Sequence, residues 1–467
     1  MSQLTLTTGE AARPARRATT RWAPGPRGLD RLRAMRDLAR APLQFYSTMR
    51  ERYGDVVGSR FGPLYVCMVF NPDGVGHVLQ ERHAIYHKDN ADYRLLKPVL
   101  GEGLVTSNGE LWLRQRRLMQ PAFHRERVAA FASLMTDNTV RMLTRWHQAA
   151  QQRVPVDVAT EMMTLTLQIA TSALFGVEGT TLAEVVRESF TTVNRHVIET
   201  FAAPWKMLPV LRALPTPGNR RASAAQRRLD AVVRSIIAER RQRPGAGGDL
   251  LALLLEAHDE AGGMSDQQLR DEVMTMLVAG HETTSNALAW TFYLLSRNPT
   301  VAEKLRAELD RSLAGRVPTV EDLPRLAYPQ MVIEEAMRLY PPVWTLSRTP
   351  REKDTIGGYH IPAGAVVVIS PYITHRHPDV WEDPERFDPE RFTPERTSVR
   401  PRFAYFPFAG GPRQCIGNGF AMMEAQLVLT TVAQRFHLDL VDGNDVTPEP
   451  LVTLRPRGGL PMTLTPL

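Results

Sequence analysis

One cysteine in this sequence stands in a setting that favours metal binding. Cys415 is one of two cysteines in the chain, and it lies in a loop of glycine, proline and arginine, directly before a long apolar helical pattern. A helix N-terminus directs N–H groups and the positive end of its dipole at such a thiol, which lowers the thiol pKa. One cysteine is too few for a zinc site, which needs about four ligands, but it can complete the proximal side of a haem iron. The simpler alternative is a buried, inert cysteine in an ordinary turn.

The order of residues around Cys415 narrows this choice. The loop reads F-x-x-G-x-R-x-C-x-G, which specifies Phe408, Gly411, Arg413 and Gly417 together with the cysteine. The glycines let the backbone approach a large flat ligand closely. Phe408 could pack against the sulfur, and Arg413 could supply charge nearby. The pattern resembles the haem-binding signature of the cytochrome P450 family, which implies that Cys415 is the axial thiolate ligand and that the loop forms the haem b site.

A second polar group interrupts a long apolar helix that starts at the capping box Ser265-Asp266-Gln267-Gln268. Small Ala279 and Gly280 would leave room for a flat ligand or dioxygen, and Thr283 can bond a backbone carbonyl and open the helix locally. The alternative is a capped helix whose threonine packs inward. The run A-G-x-E-T-T resembles the oxygen-activating motif of the family, which implies that Thr283 hydrogen-bonds the oxygen being activated and that Glu282 relays protons. Relatives that hold haem by a covalent ester carry an acid at the position of Ala279, so non-covalent haem is expected.

A third pattern is E-x-x-R, formed by Glu335 and Arg338 before Pro341-Pro342. Such a pair is usually a solvated helix contact of small value. The family, however, has a buried network between its E-x-x-R helix and a later P-E-R-F segment, and Arg391 lies in such a segment here. The resemblance implies that these three residues hold the cysteine loop in place.

Haem carries two carboxylates, and buried carboxylates require cationic or hydrogen-bonding partners. Trp112 and Arg116 resemble the W-x-x-x-R that the family places beside haem, and Arg348 matches another such position. Without the resemblance, the arginines after Trp112 would be interpreted as a solvated basic face.

Composition bounds the class of protein. The chain has 467 residues, 43% of them hydrophobic, and two cysteines argue against a disulfide-rich secreted scaffold. No run of about 18 apolar residues predicts a transmembrane helix, so a soluble cytoplasmic monomer is expected. The net charge of +7 is compatible with an anionic membrane surface, an acidic protein partner or general solubility. Nucleic acid is disfavoured, because no compact basic block or nucleic-acid motif appears.

The organisation along the chain is mainly helical. Residues 1–21 predict a flexible basic tail, although their composition overlaps with transit peptides, and residues 22–467 predict a single domain. A hairpin is predicted at 55–61 and 64–70, and an irregular segment at 84–110. Further short strands are predicted at 355–359 and 366–370, with turns at Gly357-Gly358 and Pro362-Ala363-Gly364. The prediction is therefore a mainly α fold with a small β region, and the resemblance makes it the cytochrome P450 fold.

The resemblance, which covers roughly residues 22–467, implies a haem-thiolate monooxygenase that inserts one oxygen atom of O₂ into an organic substrate. No stretch remains for a flavin reductase, so NAD(P)H-derived electrons are expected from a ferredoxin and its reductase, with a basic surface near Arg413 attracting the acidic donor. Two alternatives stay open. A peroxide-driven peroxygenase would not need Glu282 and Thr283, and a non-catalytic haem sensor or carrier often has proline after the cysteine, where this chain has Ile416.

The substrate pocket is expected to be apolar, which favours a lipophilic molecule such as a terpenoid or fatty acid. Its predicted wall residues are Leu95, Leu96, Val99, Phe201, Val343, Trp344 and Leu346.

Overall fold

The structure is a computed structural model that describes residues 21–176, 180–201, 214–242, 249–259 and 262–467. None of the helices in these ranges is both long and apolar enough to cross a membrane. The α-helices are α1 Asp30–Arg40, α2 Pro42–Tyr53, α3 Pro72–Gly76, α4 Ala91–Leu100, α5 Gly109–Met119, α6 Arg125–Ala129, α7 Ala132–Gln152, α8 Val158–Phe175, α9 Thr180–Phe201, α10 Pro217–Gln242, α11 Leu250–Glu256, α12 Asp266–Arg297, α13 Pro299–Leu313, α14 Ala327–Leu339, α15 Pro371–Thr374, α16 Pro394–Ser398 and α17 Asn418–Ala433.

The strands form one mixed sheet and several smaller ones. They are β1 Val56–Phe61, β2 Leu64–Val69, β3 Tyr86–His87, β4 Val156–Asp157, β5 His258–Asp259, β6 Gly262–Gly263, β7 Leu346–Pro350, β8 Asp354–Ile356, β9 Tyr359–Ile361, β10 Val366–Ile369, β11 Phe436–Leu440, β12 Pro448–Pro450, β13 Leu454–Pro456 and β14 Pro461–Pro466. The five-stranded sheet has the order β1-β2-β10-β7-β3, and only β2 and β10 are parallel. Strand β11 pairs with β14, and β14 pairs with β4. The prediction of a mainly α fold with a small β region is confirmed.

The helix α12 passes through the middle of the helical part. Its N-terminus is capped as predicted, because the Ser265 hydroxyl accepts the Gln268 N–H at 3.2 Å. It contacts α8, α14 and α17, and side chains around most of its circumference are buried. A helix that is buried on most sides belongs to the interior of a large domain, so polar groups along α12 lie inside the protein.

Two local predictions need correction. Residues 84–110 are not irregular throughout, because α4 forms at Ala91–Leu100 with Asn90 accepting the N–H groups of Asp92 and Tyr93. The predicted turn at Gly357-Gly358 is confirmed, since both glycines have positive φ and turn the chain between β8 and β9, but the stretch 355–359 is therefore not one strand. In both places short-range turn and cap chemistry outweighed the apparent pattern.

Candidate active site

The cysteine loop has a tightly determined backbone. The Cys415 N–H donates to the Phe408 carbonyl at 2.9 Å, which closes the loop immediately before α17. Gly411 has φ +65°, and a Cβ there would lie 1.9 Å from the Leu79 carbonyl oxygen. No side chain could occupy that space, so Gly411 is required by close packing of the backbone. Phe408 packs against the helical core, and Gly417 has room for a Cβ, the nearest atom being 3.8 Å away on Phe123.

The two cysteines have different surroundings. Cys67 is fully buried, and burial raises its thiol pKa to about 12, as expected for an inert core residue. Cys415 is exposed, yet the neighbouring protein atoms desolvate it and raise its pKa, while the Gly417 N–H and then Arg116 and Lys88 lower it. The prediction of a lowered thiol pKa is therefore wrong, since desolvation outweighs the N–H group and the cations. A coordinated metal ion deprotonates a thiol outright, so this site suits a ligand that becomes a thiolate when metal binds.

Cationic side chains gather beside this thiol. Desolvation and then the charge of Arg348 lower the pKa of Arg413 to about 9. Desolvation and then the charges of Arg348 and Arg413 lower the pKa of Lys88. Within the described ranges, none of these three cations forms an ion pair with a carboxylate. Desolvated like charges repel one another, so the cluster is suited to a ligand with two carboxylates. This observation fits the charge of haem.

The polar contacts of the cluster are mostly to neutral groups. Arg413 donates to the Ser107 carbonyl at 2.9 Å, and its guanidinium lies 4.0 Å from the centre of the Trp112 ring. Arg348 donates to the Tyr93 hydroxyl at 2.9 Å, and Lys88 Nζ donates to the Val105 carbonyl at 2.9 Å. Trp112 therefore belongs to the cluster, as the sequence predicts. Arg413 is half-buried and its contacts direct its charge into the protein, so the basic docking surface expected near it stays a prediction.

Arg116 occupies a slightly different place from the one expected. Its Nη1 donates to the Gln414 carbonyl at 2.9 Å, directly before the cysteine, and its charge lowers the Cys415 pKa. Arg116 therefore anchors the cysteine loop.

Lys88 is the member of the cluster that sequence reasoning missed. It follows β3, and β3 pairs with β7, the strand that carries Arg348. That long-range pairing has no signal in the local sequence.

The polar residues in the middle of α12 point to different sides of the helix, some to the accessible side and others into the core. Ala279 and Thr283 lie on the accessible side, and the Thr283 hydroxyl donates to the Ala279 carbonyl at 2.9 Å. A Cβ on Gly280 would instead lie 3.5 Å from Leu174 Cδ1 of α8, so this position faces α8, and a role for its backbone in lining the ligand space stays a prediction. His281 is buried against Phe190 of α9 with ring centres 5.6 Å apart, and burial lowers its pKa to about 4.

Glu282 is buried in a polar pocket of its own. Asn194 Nδ2 donates to its Oε1 at 2.9 Å, and Thr453 is a second hydrogen-bonding partner. Burial raises the Glu282 pKa to about 7, and Thr453, Arg455 and Asn194 oppose this shift. A carboxyl group with that pKa can both hold and release a proton at neutral pH. Asn194 and Thr453 come from α9 and the C-terminal region, and no local pattern in the sequence indicates that they meet Glu282.

The structure brings the E-x-x-R helix and the later arginine together. Glu335 and Arg338 form a two-pronged ion pair at 2.6 and 2.8 Å with both side chains fully buried. Arg391 Nε lies 3.4 Å from the Glu335 carboxylate. The Asp388 N–H donates to Glu335 Oε1 at 2.9 Å. Burial raises the Glu335 pKa, and the arginines oppose that shift.

This network reaches the cysteine loop through a histidine. Arg338 donates to the His375 carbonyl at 3.0 Å, and His375 Nε2 accepts the Phe406 N–H at 2.9 Å. The Ala409 N–H in turn donates to the Phe406 carbonyl at 2.9 Å. Burial, followed by Arg338 and Arg376, lowers the His375 pKa, which favours the neutral ring that can accept a hydrogen bond. His375 carried no motif that sequence reasoning used.

The predicted pocket residues lie in different parts of the structure. Leu96 and Val99 belong to one apolar cluster with Val278 of α12 and Ile416 of the cysteine loop. Trp344 does not line the pocket: it is buried beneath the sheet, with its indole N–H donating to the Leu451 carbonyl at 2.8 Å. Leu346 packs with the cluster around Tyr86, Leu95 is buried, Val343 is half-buried, and Phe201 lies outside the described side chains.

Comparison with known proteins identifies the family. The family model described as Cytochrome P450 matches residues 24–460. The cyclooctatin synthase of Streptomyces melanosporofaciens is 39% identical over 420 residues, covering 89% of this chain and 90% of the relative. The cyclooctat-9-en-7-ol 5-monooxygenase of the same species is 38% identical over 437 residues, covering 93% of this chain and 92% of the relative. The pentalenene oxygenase of Streptomyces avermitilis is 34% identical over 419 residues, covering 89% and 91%.

The solved structures agree. The heme domain of cytochrome P450DA superimposes with a TM-score of 0.86 at 28% sequence identity, covering 96% of this chain and 98% of that chain. With the family match, the named monooxygenase relatives and the cysteine loop in agreement, this chain belongs to the cytochrome P450 family of haem-thiolate monooxygenases.

Proposed function

We propose that this cytochrome P450 inserts one oxygen atom of O₂ into a lipophilic terpenoid, with a ferredoxin and its NAD(P)H-dependent reductase as the electron source. The observation that carries the substrate class is the apolar cluster that joins Leu96, Val99, Val278 and Ile416 beside the cysteine loop. Relatives named for oxidising cyclooctat-9-en-7-ol and pentalenene support a terpenoid over a fatty acid.

The chain's own residues would hold the haem in two ways. Cys415 would supply a thiolate ligand to the iron. Lys88, Arg348 and Arg413 with Trp112 would bind the haem carboxylates, which would relieve the repulsion within their cluster. When bound, haem iron supplies the activation of O₂ and the oxygen transfer. Arg116 would keep the cysteine loop in position through the Gln414 carbonyl.

Proton supply is the proposed task of Glu282 and Thr283. Because the Thr283 hydroxyl donates to Ala279, its oxygen lone pairs remain available to accept a hydrogen bond in the site. Glu282, whose pKa is about 7, can take up a proton from water and pass it inward.

The electron donor is proposed from charge. The chain has a net charge of +7, and an acidic ferredoxin would be attracted to a basic partner at low ionic strength. Reconstitution with a ferredoxin and its reductase at increasing salt tests this point, because a charge-guided pair loses turnover rate as salt rises.

The primary test is the spectrum of the reduced carbon monoxide complex. We expect the red-shifted Soret band of thiolate ligation, its loss in Cys415→Ala and its retention in Cys67→Ala, since Cys67 is an inert core residue. Absence of that band in the unmodified protein would refute thiolate ligation. Binding spectra with terpenes and fatty acids then test the substrate class, and a response to fatty acids alone would contradict the terpenoid proposal.

The relay is tested by coupling efficiency. Thr283→Ala should lower the amount of product formed per NAD(P)H consumed, whereas Thr164→Ala, an exposed threonine on α8 that also donates to a helix carbonyl, should not. Unchanged coupling in Thr283→Ala would remove Thr283 from the mechanism.

A further inference from the structure

The segment that connects α4 to α5, residues 101–108, is bound to the central helix by two buried carboxylates. We call it the α4–α5 loop. The Glu102 N–H donates to Asp271 Oδ2 at 2.8 Å, and the Leu104 N–H donates to Glu272 Oε2 at 3.0 Å. Both carboxylates lie on α12 and both are buried. Asp271 also forms an ion pair with Arg270 at 2.9 Å, and a hydrogen bond to such an ionised carboxylate is about twice as strong as a neutral one.

Two glycines allow the loop to approach the helix this closely. Gly101 has φ +61°, and a Cβ there would lie 2.0 Å from the Asp271 carboxylate carbon. A Cβ on Gly103 would lie 2.1 Å from Thr275 Oγ1. Neither distance is possible for a real side chain, so the backbone of the α4–α5 loop lies directly on α12.

The opposite side of the same loop binds the cationic cluster. The Val105 carbonyl accepts Lys88 Nζ at 2.9 Å, and the Ser107 carbonyl accepts Arg413 Nη1 at 2.9 Å. Asn108 Oδ1 accepts the Lys88 N–H at 3.0 Å. The α4–α5 loop therefore connects the carboxylates of α12 to two of the cations beside Cys415.

The outer side of the loop faces solvent. Glu102 and Asn108 line a cleft of about 730 Å³ together with His87 and Arg351. The His87 pKa is lowered mainly by desolvation, then by the charge of Arg351 and then by that of Arg413, so His87 and Arg413 lie close together. The loop thus separates this open cleft from the cationic cluster, and its displacement would admit water to that cluster.

We propose that Asp271 and Glu272 are positioning residues that latch the α4–α5 loop onto α12, and that release of this latch loosens haem by displacing Lys88 and Arg413. The proposal rests on the haem site described under Proposed function. It assigns a role to a pair of buried acids that lie outside the oxygen-activating motif.

Glu272 gives the latch a dependence on pH. Burial raises its pKa to about 8, Asp271 raises it further, and the Leu104 N–H opposes the shift. Neighbouring charged groups form ion pairs with one another: Arg270 bonds Asp271 and Asp230 of α10, and Lys97 of α4 bonds Glu102.

The direction of this dependence follows from linkage. In the latched state the Glu272 pKa is about 8, and exposure of its carboxylate to water in the released state would move the pKa toward its ordinary value of 4.5. Loss of the Leu104 N–H opposes this change, so 4.5 is the lower limit of the released-state pKa. The latched state is therefore favoured at low pH. The equilibrium constant for latching falls by up to about tenfold per pH unit as pH rises from 4.5, and it falls no further above about pH 8.

The test uses the haem-loaded protein at about pH 6 and about pH 8, the upper part of the window in which linkage acts. Hydrogen exchange of residues 101–108 reports the loop, and transfer of haem to apomyoglobin reports its retention. Glu272→Gln keeps an acceptor for Leu104 but cannot ionise. Each rate, of hydrogen exchange in the loop and of haem loss, is divided by the rate of Glu272→Gln at the same pH. We expect this ratio to be larger at about pH 8 than at about pH 6, by up to about a hundredfold.

A glycine pair separates latching from backbone strain. Gly101 and Gly109 both have positive φ, but a Cβ on Gly109 meets no atom within 4 Å. Gly101→Ala should therefore release the loop at both pH values, and Gly109→Ala should not. Equal pH dependence in the unmodified protein and Glu272→Gln would overturn the latch, as would release of the loop without faster haem loss. Failure of the haem proposal would be distinct, because that protein would show no haem absorption at all.

Discussion

The buried carboxylate Glu335 offers the strongest test of how the cysteine loop is held. In Glu335→Ala, Arg338 would lose the ion pair at 2.6 and 2.8 Å, Arg391 would lose its contact at 3.4 Å, and the Asp388 N–H would lose its acceptor. Arg338 would stay fully buried with a charge and no counter-ion. Removing one partner of a buried pair costs roughly 3–5 kcal/mol, a large part of the roughly 5–15 kcal/mol that stabilises a domain.

Chemical denaturation and haem content measure this loss. Glu335→Gln keeps the shape and one acceptor oxygen, so its loss of unfolding free energy should lie between those of Glu335→Ala and Glu334→Ala. Glu334 is the matched control: it is half-buried on the same helix, and among the described side chains its carboxylate accepts a hydrogen bond only from Gln330. A hydrogen bond of this kind contributes roughly 0.5–1.5 kcal/mol. Haem content should fall in the same order. A loss below about 1 kcal/mol in Glu335→Ala would refute the argument.

Three further outcomes are expected. In the unmodified protein, the raised Glu282 pKa should make the unfolding free energy fall between pH 4.5 and about 7, and product formation should show an inflection near pH 7. Both effects should disappear in Glu282→Gln. A pH profile unchanged by the substitution would contradict this. Gly411→Ala should reduce haem incorporation because its Cβ would lie 1.9 Å from the Leu79 carbonyl, whereas Gly419→Ala, with no atom within 4 Å, should not. Lys88→Met should speed haem loss by roughly tenfold or more, the value of a charged hydrogen bond, and an unchanged transfer rate would exclude Lys88 from the cluster's function.

Local patterns predicted the elements that depend on local chemistry. The hairpin of β1 and β2, the cap at Ser265 and the helix that carries Glu335 and Arg338 were correct, since turn residues, caps and helical periodicity act over a few positions. Helix α4 was missed because its cap, Asn90, stands in a stretch whose apolar pattern is weak. Trp344 was assigned to the pocket because it is large and apolar, a property that does not distinguish a pocket wall from a core.

The sequence by itself determined the chemistry: a cysteine in a glycine loop, a Glu–Thr pair in the middle of a buried helix and an E-x-x-R pair are specific as residue types at fixed spacing. The tertiary structure alone decided which groups share one environment. Pairing of β3 with β7 brings Lys88 to Arg348, packing of α9 and the C-terminal region encloses Glu282 and raises its pKa, and the α4–α5 loop joins α12 to the cysteine side of the molecule. The physical reason is that desolvation and charge interactions depend on distance in space, and the residues concerned are separated by up to hundreds of positions in the chain.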